Sequence, residues 1–341
     1  MIINFDARCI QDEGYAEKGI GNFARFLLET LLNRPGVKVQ LAVDPRRESI
    51  KCDPRYAGVS IINLSEMTNG VYINPSFMTH EHGPLLLAKN NGLKLVGVIH
   101  DLIPIRRPYE SSTHDLEVFR SGLKMSTSLD RVIAVSCCTK SDYLDQCDLA
   151  PPTFVFHANS RFRSKRPVIL RNQNVGIVNR TLERPYIFYA VADHPRKNVE
   201  IALRSAEMIN RLGYSTLIGG GISSRTIRAL TERHCISQVD FMPRLTDAEL
   251  EVAYARSAAV VVPSFDEGFS LPVTEAGRLG CRILVSDISA HREQVLDQRS
   301  FFDPADEHSL VAAFHKTQFV TSTTIKTFDH RKELDDVLQD F

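Results

Sequence analysis

Two glutamates, Glu267 and Glu275, lie with seven residues between them in the most informative segment of the sequence, residues 258–304. An apolar β-branched run precedes Glu267, and Pro263 cannot continue a central strand. Pro272 suits the first turn of a helix, so the order predicts a strand, a tight loop and a helix. Carboxylates on both sides of such a loop can accept hydrogen bonds from vicinal sugar hydroxyls. The alternative is that Glu275 complements the helix dipole and that Glu267 is solvated.

The start of this predicted helix favours an anion. Gly268 permits a sharp turn, and the backbone N–H groups of Phe269, Ser270 and Leu271 follow it. The first N–H groups of a helix have no partner inside the helix, and the helix dipole is positive there. The sequence therefore predicts an anion site between the two glutamates.

Two cations, Arg196 and Lys197, follow another predicted strand and precede another predicted helix. Cations near a helix N-terminus are mildly unfavourable unless an anion joins them. A diphosphate that gains negative charge as a bond breaks would be such an anion. The alternative is a pair of surface cations on an exposed helix start.

The elements that position these residues are short β-branched strands alternating with helical patterns, which predicts parallel sheets covered on both faces. Strands are predicted at Ile2–Ala7, Val39–Val43, Ser60–Leu64, Val71–Asn74, Leu95–His100, Arg131–Ser136, Tyr186–Val191, Ser215–Gly219, Val239–Met242, Ala259–Pro263 and Arg282–Ser286. Helices are predicted at Asn22–Leu32, Asn198–Leu212, Ser224–His234, Asp247–Arg256, Pro272–Leu279 and Glu307–His315. The fold class is therefore α/β, with two doubly wound, Rossmann-like domains that we expect to face each other across a cleft.

The predicted domains are residues 1–165, 166–325 and a terminal segment, 326–341. The boundary lies in residues 151–184, which show little periodicity and contain a basic run that we interpret as a solvated linker, with a phosphate or lipid site as the alternative. The basic residues of this run are Arg161, Arg163, Lys165, Arg166 and Arg171. Near the end, Leu334, Val337 and Leu338 are spaced as in an amphipathic helix.

Composition limits the class of protein. A chain of 341 residues corresponds to about two domains. The balance of 41 basic and 41 acidic residues makes nucleic acid an unfavoured partner. Seven cysteines without a CxxC pair argue against disulfides or a zinc site, which favours the cytoplasm. We see no signal peptide and no apolar run of about 18 residues, so peripheral attachment to the inner membrane face stays open.

The stretch PSFDEGFSLPVTEA, residues 263–276, resembles the E-x7-E signature of the retaining glycosyltransferases of family four, which have the GT-B fold. The resemblance continues upstream through Leu217–Gly221 and Val239–Pro243 and downstream through Phe302–Pro304. It thus covers nearly all of the second half, in order.

The resemblance implies roles for the residues named above. Glu275 would hold the ribose of a nucleotide-sugar donor, and Glu267 would contact the transferred sugar. The helix N–H groups of Ser270 and Leu271 would hold the diphosphate, and Gly268 and Phe269 would belong to the same donor-binding loop.

Two further donor contacts are implied. The segment from Pro195 to Asn198 resembles the family's PRKG or PRKN motif, whose lysine, Lys197 here, touches the donor phosphate. The nucleobase would lie near Arg244 and Leu245. Many relatives carry an arginine where this chain has Val191, which leaves open whether Arg196 takes that role.

Gly19, Gly21 and Asn22 match GxGxxA, a dinucleotide-binding pattern. We reject a dehydrogenase, because a polar loop over Arg8–Lys18 separates the pattern from the first strand. The glycines would let the backbone approach a ligand, and Asn22 would cap the following helix. In the family, this loop borders the donor phosphate and the acceptor pocket.

His100 and Asp101 end an apolar strand, where polar residues face the ligand crevice of a parallel sheet. They resemble the family's V-x-HD-x-x-P motif, whose histidine lies beside the reacting bond. The alternative is a buried His100 bonded to the backbone. Asp101 would be the nucleophile of a double displacement, a less favoured route.

The resemblance implies a retaining hexosyltransferase that takes mannose from GDP-mannose, or else a sugar from a UDP donor. The acceptor would be a saccharide or a lipid-linked oligosaccharide of a surface polysaccharide. No cofactor and no catalytic metal are expected, and the terminal helix is expected to cross back to the first domain. The alternatives are an epimerase, a hydrolase or a phosphorylase of the same fold, or a catalytically silent partner of another transferase.

Overall fold

The computed structural model describes residues 1–16, 18–47, 56–78, 81–162, 185–234, 239–242 and 245–341. The chain divides into two compact units. The first unit comprises Met1–Asn159 together with Phe328–Phe341, and the second comprises Ser160–Thr327.

The first unit contains a seven-stranded sheet in the order β3-β2-β1-β4-β5-β6-β7, with every pairing parallel. Its strands are β1 Ile2–Asp6, β2 Lys38–Val43, β3 Ser60–Asn63, β4 Val71–Asn74, β5 Lys94–Ile99, β6 Arg131–Ala134 and β7 Thr153–Val155. Its helices are α1 Arg8–Gln11, α2 Glu13–Ala16, α3 Gly19–Leu32, α4 Gly83–Asn90, α5 Ile103–Arg106, α6 Thr113–Ser126 and α7 Cys137–Gln146.

The second unit contains a six-stranded sheet in the order β10-β9-β8-β11-β12-β13, again with every pairing parallel. Its strands are β8 Tyr186–Ala190, β9 Ser215–Gly219, β10 Val239–Met242, β11 Ala259–Val262, β12 Ile283–Ser286 and β13 Phe301–Phe302. Its helices are α8 Val199–Arg211, α9 Ser224–His234, α10 Asp247–Arg256, α11 Leu271–Arg278, α12 Ser289–Gln294 and α13 Glu307–Lys316.

Apolar side chains cover both faces of the second sheet. On β11, Val260 and Val262 pack into one hydrophobic cluster, whereas Ala259 and Val261 pack into another. Successive side chains of a strand point to opposite faces, so the unbroken apolar run of β11 supplies both clusters. The predicted α/β class with two parallel sheets is confirmed.

A terminal helix, α14, runs from His330 to Leu338 and belongs to the first unit. Its buried residues are Leu334, Val337 and Leu338, the three that its spacing predicted. Glu333 holds α14 to the chain near β7, because its carboxylate accepts from the backbone N–H of His157 at 3.0 Å.

Some elements escaped the sequence analysis. Strands β7 and β13 have only three and two residues, too few to show a period. The predicted polar loop after β1 is wrong, because α1 and α2 occupy it and all four residues of α1 are buried. No helix within the described ranges is both long and apolar enough to cross a membrane.

Candidate active site

The candidate site lies at the carboxyl edge of the second sheet, after the neighbouring strands β8 and β11. The strand order reverses between these two strands, since β9 and β10 lie beyond β8 whereas β12 and β13 lie beyond β11. Ligands of open parallel sheets bind outside the carboxyl ends of the strands at such a switch point. The loops that follow β8 and β11 carry the predicted cations and Glu267.

Glu267 holds both cations. Lys197 Nζ lies 2.5 Å from Glu267 Oε1, and Arg196 Nη1 lies 3.1 Å from Glu267 Oε2. The Ser264 hydroxyl donates a third hydrogen bond to Oε1 at 2.7 Å. The Glu267 side chain is only 6% exposed, whereas those of Arg196 and Lys197 are 22% and 18% exposed. The alternative of a solvated Glu267 is therefore wrong.

These contacts set the charge of Glu267. Burial alone would raise the pKa of its carboxyl, but the charges of Lys197 and Arg196 and the hydrogen bonds from Lys197 and Ser264 lower that pKa to about 2. Glu267 is thus an anion at neutral pH. Both cations are partly exposed, which makes this edge of the sheet a candidate site for an anionic ligand.

The two cations do not need an external anion to be placed at this turn. Glu267 already compensates them, which the sequence analysis missed because Glu267 lies 71 residues from Arg196. Arg196 and Lys197 also lie in a 3₁₀ turn, Pro195–Lys197, rather than in the helix that follows it.

Asn198 fastens this turn to its neighbours. Its side-chain amide donates to the backbone oxygens of Pro263 at 3.0 Å and of Pro304 at 2.8 Å. Its backbone has φ 53° and ψ 49°, the left-handed conformation that asparagine tolerates better than most residues. The N–H of Phe265 also donates to the Arg196 oxygen at 2.7 Å, so the two loops form one unit.

The helix start after Gly268 and Phe269 differs from the prediction. Helix α11 begins at Leu271, and the Ser270 N–H donates to Gln294 Oε1 at 3.0 Å. Gln294 Nε2 donates in turn to the Ser270 oxygen and to Thr274 Oγ1, both at 2.9 Å. In this structure the Ser270 N–H is thus bonded to a buried side chain, and its role on an anion stays a prediction.

Gln294 and His291 are site residues that the sequence analysis missed. Both are buried residues of α12, and His291 Nδ1 lies 2.9 Å from the Ser286 oxygen. Burial lowers the pKa of His291 to about 4, although the nearby Glu267 acts in the opposite direction. No spacing signal marks either residue, because α12 has only six residues.

Glu275 forms a separate group. It is buried on α11, with Tyr254 Oη 3.4 Å from Oε2 and Arg161 Nε 3.2 Å from Oε1. Burial raises the pKa of its carboxyl. Arg161 opens the basic run interpreted as a solvated linker, an interpretation that is wrong for this residue. The others, Arg163, Lys165, Arg166 and Arg171, lie outside the described residues.

Val191 occupies the position where many relatives carry an arginine. It is buried in a hydrophobic cluster, and its oxygen lies against Gly220, which has φ +143°. A Cβ at Gly220 would lie 1.7 Å from that oxygen, so only glycine fits. Leu245 packs against the other cluster of the second unit. Arg244 lies outside the described residues.

In the first unit, His100 follows β5. Its Nε2 lies 2.7 Å from the Pro75 oxygen, so this nitrogen donates and Nδ1 is left as the acceptor. The ring of Phe23 packs edge-on against the His100 ring, with 5.1 Å between the two ring centres. Burial lowers the pKa of His100, which keeps it neutral. The Asp101 carboxylate accepts from the Ile103 N–H at 3.0 Å and so supports the start of α5.

Gly19, Gly21 and Asn22 all lie within α3, whose cap is Lys18, so the prediction that Asn22 caps the helix is wrong. Gly21 packs against the end of α2, where a Cβ would lie 2.3 Å from the Ala16 oxygen. At Gly21 the glycine therefore serves helix packing.

The structure thus brings Arg196, Lys197 and Glu267 into direct contact and gives Glu275 different partners. It places Gly19, Gly21, Asn22, His100 and Asp101 in the other unit.

The sequence is similar to those of known glycosyltransferases. Residues 171–317 match the family model of glycosyl transferases group 1. The O-antigen chain mannosyltransferase RfbU of Salmonella typhimurium is 26% identical over 67% of this chain and 66% of its own length. The serotype-specific mannosyltransferase WbdA of Escherichia coli is 26% identical over 67% of this chain, which is 30% of its own length. This chain therefore matches less than two thirds of either relative.

The fold has solved counterparts. Sucrose-phosphate synthase from Thermosynechococcus elongatus superimposes with a TM-score of 0.66 and 16% identity, over 98% of this chain and 94% of that one. This likeness and the two parallel sheets confirm the GT-B fold class. The family match makes residues 171–317 similar to the glycosyl transferases group 1.

Proposed function

We propose that the chain transfers mannose from GDP-mannose, with retention of the anomeric configuration, to a saccharide or lipid-linked oligosaccharide of a surface polysaccharide. The observation that carries the proposal is the contact of Arg196 and Lys197 with Glu267 at the switch point of the second sheet. This contact lies inside the segment that matches the family. The O-antigen and serotype-specific mannosyltransferases among the relatives support mannose as the sugar.

The cations act on the leaving group. When the donor's diphosphate enters, Lys197 and Arg196 contact it and keep Glu267 as their internal partner. The bond between the anomeric carbon and the phosphate oxygen breaks, and negative charge grows on the diphosphate. Fixed positive charges in a partly buried site stabilise that charge without reorganising at the moment of reaction.

Glu267 accepts hydrogen bonds and does not donate a proton. Its pKa of about 2 keeps it ionised at neutral pH, so it can bind hydroxyls of the transferred sugar. The acceptor's proton therefore goes to the departing phosphate oxygen as the acceptor oxygen bonds to the anomeric carbon. Attack from the face that the leaving group vacates retains the configuration. Asp101 is less suited to a covalent intermediate, because it already holds the Ile103 N–H.

Activity without a divalent cation is part of the proposal. The two side-chain cations neutralise charge on the diphosphate, which is the task that Mg²⁺ performs in other phosphate sites. Full activity in EDTA is the expected result, and activity lost to EDTA and restored by Mn²⁺ would contradict it.

The test combines donor binding with product analysis. Thermal-shift measurements with GDP-mannose, UDP-glucose and UDP-N-acetylglucosamine identify the donor, because a tight ligand raises the unfolding temperature. Incubation of that donor with octyl α-mannoside, followed by NMR of the product, gives the acceptor class and the anomer. An α-linked mannoside is expected from α-linked GDP-mannose, and an inverted anomer would contradict retention.

Other products would replace the proposal. Free mannose would indicate a hydrolase, mannose 1-phosphate formed from added phosphate would indicate a phosphorylase, and a changed nucleotide sugar would indicate an epimerase. Failure of every nucleotide sugar to bind would favour a catalytically silent partner.

A further inference from the structure

Arg161 lies close to the unit boundary, which follows Asn159, and its side chain is directed at two acidic residues of the second unit. Its Nη1 lies 2.9 Å from Asp247 Oδ1, and its Nε lies 3.2 Å from Glu275 Oε1. Its guanidinium also lies 5.2 Å from the centre of the Phe162 ring. Two carboxylates and a ring therefore orient one guanidinium that is only 25% exposed.

Glu275 is a buried carboxylate that needs a charged partner. Isolated ionised carboxylates are costly to bury, and such a group becomes neutral unless it is paired. The groups that face Glu275 are Arg161, from the segment that enters the unit, and Asp247 and Tyr254, both on α10. Burial and Asp247 raise the pKa of Glu275, whereas Arg161 and the Tyr254 hydroxyl lower it. Of these neighbours, Arg161 alone carries a positive charge.

The charge of Glu275 decides what it can bind. An ionised carboxylate offers two acceptor oxygens to a pair of vicinal hydroxyls, whereas a protonated one has lost part of that capacity. We propose that Arg161 is a positioning residue for the donor, which holds Glu275 as a fixed anion for the hydroxyls of the donor's nucleoside. This inference rests on the proposed function, because it assigns a partner to the carboxylate expected to hold the ribose.

The experiment measures the dissociation constant of GDP-mannose by titration calorimetry from pH 5.5 to pH 8.5. Each phosphate of GDP-mannose carries one ester and one anhydride bond and so keeps a constant single negative charge, whereas the terminal phosphate of free GDP titrates with a pKa of about 6. The variants are Arg161→Met, Arg161→Lys and Glu275→Gln. Arg225→Met, an exposed arginine of α9, is the matched control.

The affinity of Arg161→Met for GDP-mannose is expected to fall as the pH is lowered, as it does in the wild type. The midpoint pH of this fall is expected to be higher in Arg161→Met by about one pH unit or more. Below both midpoints, a shift of one pH unit corresponds to about a tenfold weaker affinity, and at pH 8.5 the difference narrows. Arg161→Lys, which keeps the charge, restores most of the wild-type profile. Glu275→Gln binds weakly at every pH and shows no such midpoint, and adding Arg161→Met to it causes no further loss.

An Arg161→Met profile that coincides with those of the wild type and of Arg225→Met would overturn the inference. So would a midpoint shift that persists in the double variant, because the titrating group would then not be Glu275. Failure of the wild type to bind any nucleotide sugar would instead refute the proposed function, so the two failures are distinguishable. Arg161→Lys keeps the test decisive should Arg161→Met unfold.

Discussion

The two sheets carry charged clusters at equivalent places, and the clusters differ in exposure. In the first sheet, the order reverses between β1 and β4, and Asp6, Arg8 and Tyr72 meet at that edge. Asp6 and Arg8 are almost completely buried, with Arg8 Nη2 2.7 Å from Asp6 Oδ2. In the second sheet, Glu267 is also buried, but its cations, Arg196 and Lys197, are partly exposed.

The difference in the exposure of the cations distinguishes a structural ion pair, in the first unit, from a cluster that a ligand can reach, in the second. Other N–H groups of Arg8 also donate inside the first unit. Its Nη1 donates to the Glu81 oxygen at 3.0 Å, and its Nε donates to Asp6. Its charge is fully compensated there. At the second edge, Arg196 and Lys197 contact one buried carboxylate and are themselves partly exposed, so an anionic ligand can approach them. The same position in the topology thus supports stability in one unit and is suited to anion binding in the other.

The largest effect is expected on removing the charge of Asp6. Asp6→Asn leaves the buried Arg8 without its anion, which should lower the free energy of unfolding by about 3–5 kcal/mol. Urea unfolding measures this, with Glu207→Gln as the control, because Glu207 pairs with Arg211 on α8 where the two side chains are 74% and 75% exposed, and its loss should cost at most about 1 kcal/mol. Equal losses in the two variants would remove the distinction between the clusters.

Lys197→Met should act on turnover instead of stability. Loss of a fixed charge on the leaving group should lower kcat by about 10²–10³-fold, equivalent to about 3–4 kcal/mol of transition-state stabilisation. Steady-state kinetics with GDP-mannose measures this, and Lys89→Met, an exposed lysine of α4, serves as the control. A variant with unchanged turnover would show that the second cluster is structural as well.

Acid should destabilise the second cluster through His291. The folded pKa of His291, about 4, lies below its ordinary value of 6.5, so its contribution is complete above pH 6.5 and is lost as the pH falls towards 4. The difference between these two pKa values corresponds to about 3 kcal/mol of unfolding free energy by linkage. Part of this stabilisation is lost at pH 5. The free energy of unfolding at pH 7 and pH 5 should therefore differ less in His291→Gln than in the wild type. His308→Gln, at an exposed position, should behave as the wild type does.

The smallest effect is expected for Gln294→Met, which keeps the side chain's size but removes its three hydrogen bonds to Ser270 and Thr274. Unpaired backbone groups of Ser270 should cost about 1–3 kcal/mol of unfolding free energy. We also expect a higher KM for GDP-mannose with a smaller change in kcat, because the loop beside Glu267 loses its support. Gln294→Glu still accepts from the Ser270 N–H but places a buried carboxylate against the Ser270 oxygen, so it should be at least as destabilising. Wild-type stability and KM in both variants would contradict this role for Gln294.

Local sequence patterns predicted much of the fold. The run of valines in β11 and the period of α8 are strong signals over short windows, and the observed bounds differ from the predicted ones by a residue or so. Motif residues such as Lys197 and Glu267 were also identifiable from their order along the chain. Short elements such as α12 and β13 were not predicted, because six or two residues do not establish a period.

The sequence by itself determined which residue types follow which strand, and hence the two parallel sheets and the residues near their carboxyl edges. Tertiary structure alone decided the partners: Glu267 for the cations, Gln294 for the Ser270 backbone and Arg161 for Glu275. The physical reason is that secondary structure depends on neighbours within a few residues. The charge and the hydrogen bonding of a buried group depend instead on side chains that packing brings from 24 to 71 residues away.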